Sequence, residues 1–243
     1  MAALTSCTTV AGGAPPASVP RVTDERTRVL ARVAAAVPDP RTLARPVRVG
    51  VDGTDGAGKT TFADELAVVL RAAGRLVLRA SVDGFHHPRE VRYRRGRTSP
   101  EGFFHDSYDL GAFHTVLLDP LAPDHVGPRR VRTAVRDHVT DTDPGAPWQI
   151  VDDATVLVLD GIFLQRDELA DLWDLAVWLE VPFAETYARM AVRDGCPADP
   201  DDPANARYRD GQRLYLAACA PGDRADVVVD NADVTRPRVV RGA

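Results

Sequence analysis

The sequence predicts an α/β fold built on a doubly wound, mainly parallel sheet. Three observations carry that expectation. Short apolar runs alternate along the chain with stretches of helical periodicity. Two of the runs, Ala154–Leu159 and Leu175–Val181, are apolar almost throughout, as strands covered by helices on both faces are. A glycine-rich segment, Gly53–Thr60, joins an expected strand to an expected helix.

Asp24–Val37 places Val29, Leu30, Val33 and Val37 at helical spacing before Pro38, so a helix is expected there. Pro46–Val51 reads as a short strand. The helix that opens at the glycine-rich segment should run to about Ala73, with Phe62, Leu66, Val69 and Leu70 on one face and Gly74 as its stop. Arg75–Val82 reads as a second strand. Residues 84–108 are polar, aromatic and Arg-rich without clean periodicity, which suggests a substrate-side insert rather than core. A helix over Asp109–Leu118 should end at Pro120, and Val131–Val139 alternates like an exposed hairpin strand. Ala154–Leu159, Leu175–Val181 and Ala225–Val229 supply further strands, with helices at Pro182–Arg193 and about Ala204–Ala218 between them.

A chain of 243 residues, 44% hydrophobic, has material for one well-packed core. The expected organisation is a flexible tail over 1–20, rich in Ala, Thr, Gly and Pro, and a single domain over 21–243. A net charge of −5 offers no basic field for non-specific nucleic-acid binding. Cys7, Cys196 and Cys219 are odd in number and lack metal-type spacing, which argues against a disulfide framework or a zinc site. No run approaches the length of a membrane span, and the opening stretch lacks a basic start. A cytoplasmic protein with a small-molecule partner is the expectation, with neither nucleic acid nor membrane; a homo-oligomer is left open.

The segment Gly53-Thr54-Asp55-Gly56-Ala57-Gly58-Lys59-Thr60 matches the G-x-x-x-x-G-K-[ST] pattern of a phosphate-binding P-loop, in the strand-to-helix context that supports it. Its glycines let backbone N–H groups converge on phosphate oxygens, and the helix N-terminus adds its positive end. Gly53 through Thr60, with Thr61 after them, are therefore the candidate nucleotide contacts. Lys59 is expected to reach the β and γ phosphates of the nucleotide, and the Thr60 hydroxyl to ligate Mg²⁺. Of thirty basic residues, Lys59 is the one lysine. A compact ammonium on a flexible stem fits a tight phosphate cradle where a planar guanidinium does not. Asp160, at the end of an apolar strand, is the candidate carboxylate for the magnesium site. Asp83 directly follows the second strand, at the carboxyl edge of the sheet where ligands bind, and is the candidate base that takes a proton from an acceptor hydroxyl.

Gly53–Thr60, Asp83-Gly-Phe-His-His87, Ser107-Tyr-Asp109, Asp160-Gly-Ile162 and Arg189-Met-Ala-Val-Arg-Asp194 together resemble the uridine kinase, phosphoribulokinase and bacterial pantothenate kinase superfamily, over roughly residues 46–231. That resemblance implies a P-loop kinase fold with a helical lid, here over 189–209. It also implies an ATP-dependent kinase of a small metabolite hydroxyl, with Asp83 as its base. The lid helix of the family commonly carries two adjacent arginines and then a third; here Met190 stands at one of them. Arg193 is the principal candidate to stabilise the transferred phosphoryl group, with Arg189 next, and Arg207 and Arg209 are available as substitutes. Phe85, His86 and Tyr108 are candidate acceptor contacts. Where uridine kinases have a Val-Tyr-Asp element, this chain has Val135-Arg136-Asp137 followed by His138. Arg136 either faces an anionic group on the acceptor or lies on the surface; His138 is a further candidate. A nucleoside is the first expectation for the acceptor, and a pantothenate kinase-like substrate the alternative.

Two other classes compete. A regulatory GTPase reads guanine with Asn-Lys-x-Asp, which needs a second lysine that this chain lacks. A catalytically weak nucleotide-binding regulator stays open because of the missing lid arginine and the altered acceptor element.

Overall fold

The computed structural model describes residues 23–243, so the expected tail and Cys7 lie outside the described residues. Six strands form the central sheet in the order β2-β5-β1-β6-β7-β8. They are β1 (Val47–Gly53), β2 (Leu76–Ser81), β5 (Thr155–Gly161), β6 (Leu175–Glu180), β7 (Val227–Asp230) and β8 (Arg238–Arg241). The first five in that order are parallel, and β8 closes one edge antiparallel to β7. A separate antiparallel pair, β3 (Arg129–Val131) and β4 (Gln149–Val151), stands outside the sheet.

Both faces of the sheet are covered. Helices α1 (Asp24–Ala36) and α2 (Lys59–Ala72) pack Val29, Val33, Phe62 and Leu66 against Val49, Val158 and Val177. On the opposite face α3 (Pro100–Asp106) and α5 (Ala206–Cys219) bring Phe103, Phe104, Tyr215 and Cys219 against Leu157, Leu159 and Trp178. Helix α4 (Phe183–Asp194) follows β6 and ends at Gly195, whose φ of 73° closes it in a left-handed cap. Every residue of β1 and β5 is buried, which explains the apolar run Val156–Leu159 in β5.

Three expectations need correction. The insert is not excluded from the core: Phe85, Phe103, Phe104 and Tyr108 all belong to one buried cluster. Strand β3 stops at Val131 instead of running to Val139, because the amides of Val135 and Arg136 both donate to Gly84 O, at 2.8 and 3.0 Å, and are unavailable to a ladder. The helix after Asp109 is regular only over Leu110–Phe113 and continues as a wider π-type turn over His114–Leu118. Strands β4 and β8, too short to leave a pattern, were not expected at all.

Candidate active site

The P-loop occupies the turn between β1 and α2. Gly58 caps the helix with φ 88°, and Phe62 is the first residue whose amide finds a helical carbonyl, Gly58 O at 3.0 Å. The amides of Lys59, Thr60 and Thr61 therefore point out of the helix toward a cavity of about 150 Å³. Gly56, Gly58, Lys59, Thr60 and Thr61 line that cavity, as does Asp55. Gly53, Thr54 and Ala57 do not. They are buried behind the loop, and Ala57 N donates to Thr54 O at 3.1 Å to form its turn. The Asp55 amide is also committed elsewhere, to Gln212 Oε1 at 2.8 Å, so its carboxyl rather than its backbone faces the cavities.

A side chain at position 56 would not fit. Its Cβ would lie 2.5 Å from Thr186 O, at a φ of 77°.

Several distant residues hold the loop from behind, and sequence reasoning picked out only one of them. Asn231, fully buried, donates to Ala57 O at 2.8 Å. Arg189 bridges Gly56 O at 3.3 Å, Asn231 O at 3.0 Å and Ala232 O at 2.6 Å. Arg189 was expected at the transferred phosphoryl; its guanidinium instead ties the P-loop to the segment after β7, and it lines neither cavity. Asp52, at the end of β1, accepts from Gly53 N at 2.7 Å, Gln165 N at 3.1 Å and the Tyr215 hydroxyl. Burial outweighs these hydrogen bonds and pushes the Asp52 carboxyl up to about 6.

The pairing register sets Asp160 between β1 and β2, opposite Val51 on one side and Ser81 on the other. Its Oδ2 accepts from Thr60 Oγ1 at 2.6 Å and its Oδ1 from Arg79 Nη2 at 2.8 Å. Gly161 must be glycine, since a Cβ there would lie 2.2 Å from Val82 Cγ1. Among the described residues no three His, Cys, Asp or Glu side chains form a metal cage. A hydroxyl facing one carboxylate beside a phosphate cavity is instead the donor set that suits Mg²⁺, which takes few protein ligands and completes its shell from phosphate and water. Lys59 Nζ rests on Thr54 O at 2.8 Å.

A second cavity, of about 590 Å³, adjoins the first. Asp55, Asp83, Ile162 and Arg193 line both, so they form the seam between them. Asp83 Oδ1 accepts from the Tyr108 hydroxyl at 3.0 Å, and His86 Nδ1 lies 2.9 Å from Asp83 O. Burial, and then the neighbouring Asp83 charge, raise the Tyr108 hydroxyl well above its usual range, so it stays a proton donor to the carboxylate. Burial lowers His86, which is thus neutral near pH 7. His138 lies against it, ring centroids 4.9 Å apart. Arg193 reaches the seam but is engaged by Asp194, at 2.8 and 2.7 Å.

Two expected acceptor contacts fall outside this cavity. Phe85 is fully buried and packs on Phe113, with centroids 4.8 Å apart. Arg136 donates to Asp141 O at 2.7 Å, on the hairpin side. Arg209 is also turned away, onto Asp210 and Asp201. Besides Arg193 at the seam, the arginines that line the cavity are Arg92 and Arg207, together with Tyr93, Phe103 and Tyr208. No spacing in the sequence sets Arg92 apart from its neighbours Arg89, Arg94, Arg95 and Arg97.

A family model described as "Phosphoribulokinase / Uridine kinase family" matches residues 48–196. A pantothenate kinase from Bradyrhizobium diazoefficiens is 30% identical over 215 residues, covering 79% of this chain and 66% of that protein. One from Brucella ovis is 30% identical over 149 residues, covering 56% and 44%. This chain thus spans less than two thirds of the length of these relatives. Among solved structures, "a Possible Uridine Kinase from Bacillus stearothermophilus" aligns with 83% of this chain and 95% of its own at a TM-score of 0.61 and 25% identity. Among the described residues no helix is long and apolar enough to cross a membrane.

Proposed function

Because the chain belongs to the phosphoribulokinase/uridine kinase family, we propose that it transfers the γ-phosphoryl group of ATP to a hydroxyl of a small metabolite. The observation that carries this reading is the seam: Asp83 stands in the walls of the phosphate cavity and of the larger cavity at once. A hydroxyl in the larger cavity would meet the γ phosphate in front of that carboxylate.

In this reading the amides of Gly58 to Thr61 and the Lys59 ammonium bind the phosphates. Thr60 and Asp160 would hold Mg²⁺, which would neutralise part of the phosphate charge. Asp83, oriented by Tyr108, accepts the proton of the acceptor hydroxyl as its oxygen bonds to the γ phosphorus and the bond to the β-γ bridging oxygen breaks, leaving ADP. Arg193, released from Asp194, offsets charge on the transferred group.

The nucleoside suggested by the sequence has the support of the Bacillus stearothermophilus neighbour. The pantothenate kinases at 30% identity favour a hydroxylated acid instead.

The test is an ADP-release screen with Mg·ATP over nucleosides, hydroxy acids and sugar phosphates. ADP should appear only when an acceptor is present, and Lys59→Ala should abolish turnover while weakening ATP binding. ATP hydrolysis at the same rate with and without every acceptor would contradict the proposal and favour a nucleotide-binding regulator.

A further inference from the structure

The larger cavity has chemically different ends. At the seam with the phosphate cavity stand the carboxylates of Asp55 and Asp83, while the nearby guanidinium, Arg193, is held by Asp194. Burial raises the Asp55 carboxyl, against the pull of Lys59 and with a smaller push from the neighbouring Asp83 charge. The distal end is cationic. Arg92 and Arg207 both lie against Tyr93, with guanidinium carbons 5.6 and 5.0 Å from its ring centroid, and Arg207 also lies 5.7 Å from the Phe103 centroid. Both are more than nine-tenths buried, at 8% and 7% exposure.

These two cations are poorly neutralised. Arg92 donates to His87 O at 2.9 Å and His138 O at 3.1 Å, and its one carboxylate neighbour is Asp141, at 3.5 Å. Arg207 donates only to backbone, to Gly96 O at 3.2 Å, Ser99 O at 2.9 Å and Arg92 O at 3.3 Å. Arg92 Nη1 and Arg207 Nε have no hydrogen-bond partner among the described residues. Carbonyl dipoles fix where the guanidinium groups sit but leave their charge in place, and burying such charge without a counter-ion is costly. A pocket that is anionic where the phosphoryl arrives and cationic at its far end suits a ligand of matching polarity.

We infer that the acceptor carries an anionic group, a carboxylate or a phosphate monoester, at the end opposite its reacting hydroxyl, and that Arg92 and Arg207 hold that anion. This rests on the kinase reading for the identity of the cavity as the acceptor site. It replaces Arg136 with two residues as the anion contacts.

The experiment pairs a change of charge on the protein with one on the acceptor. Binding of pantothenate, D-glycerate, ribulose 5-phosphate and uridine to the full chain is measured by calorimetry, and turnover by ADP release with Mg·ATP. For a responding acid, its primary amide is compared; for a responding phosphate, the dephosphorylated sugar. The expected result is binding and turnover of at least one anion, with uridine inert. Loss of the anionic group should weaken kcat/KM by on the order of tenfold to a hundredfold. In Arg92→Gln and Arg207→Gln that preference should shrink toward unity, chiefly through KM, with the KM for ATP unchanged. A response of the acids separates a carboxylate source from a phosphate source.

A merely structural role for the two arginines would lower turnover of the acid and its amide equally in both variants, and that result would overturn the inference. So would turnover of uridine without binding of any anion, which would leave phosphoryl transfer itself standing. Binding of an anion, lost in Arg92→Gln, without turnover of any compound would support the anion site and contradict the kinase reading.

Discussion

The phosphate cradle consists of consecutive residues, Gly53 to Thr61, braced from behind by Asn231, Arg189 and Asp52. The cavity beside it is walled by side chains from the insert, from α4 and the segment after it, and from the first turn of α5. One is a run of consecutive backbone groups, fixed from behind by a few distant side chains. The other exists only after distant segments have packed. The difference teaches that the cradle should tolerate little change in itself or in its braces, while the cavity should be adjustable residue by residue.

The largest expected effect lies where the two regions meet. Asp83→Asn should reduce kcat by about 10³-fold with ATP affinity unchanged in calorimetry; full turnover by this variant would remove the seam from the chemistry. Next is the brace at Asp52. Its folded pKa of about 6 exceeds the unfolded value of 3.8, so the native state holds the extra proton between them. The stability this contributes is fully present below about pH 4 and is lost as pH rises through 6, by about 3 kcal/mol for a shift of this size. In denaturant titrations the wild-type stability minus that of Asp52→Asn should fall between pH 4 and pH 7. A difference that stays flat would mean the carboxyl titrates alike in both states.

Within the cradle, Gly56→Ala should cost about 2 kcal/mol in stability, since it adds a Cβ against Thr186 O in a left-handed conformation. It should weaken ATP binding along with it. The smallest effect is expected at Arg136. Arg136→Ala should change stability by no more than about 0.5 kcal/mol and leave the acceptor KM unmoved, in contrast to Arg92→Gln. A large rise in acceptor KM would return Arg136 to the cavity wall.

The same contrast explains what the sequence could disclose. Apolar runs located β5, β6 and β7 because buried parallel strands need apolar residues on both faces, and β1 and β2 still read as short strands despite Arg48 and Arg79. The placement of Asp55, Gly56, Gly58–Thr61, Asp83 and Asp160 at the cavity was legible because their positions follow from strand ends and turn chemistry, which are short-range. Arg92 and Arg207 were not distinguished as the cavity's distal pair, because their meeting across Tyr93 depends on α5 packing beside the insert. The assignment of Arg189 to the phosphoryl group failed for a related reason. Its partners are carbonyls of the P-loop and of the segment after β7, and no residue type announces a carbonyl. Phe85 read as a contact because it sits two residues past Asp83, yet the tight turn over Val82–Phe85 turns it inward onto Phe113.

Arg92 and Tyr93 stand in the insert, and Arg207 and Tyr208 in the opening turn of α5; none of them belongs to a strand of the central sheet. The ladder that positions Asp160 and the P-loop therefore does not depend on the residues at the far end of the cavity. Over evolutionary time, lineages could inherit the phosphate machinery whole while trading one small molecule for another through a handful of substitutions in these segments. The same separation gives protein engineers a place to retarget the molecule without rebuilding it.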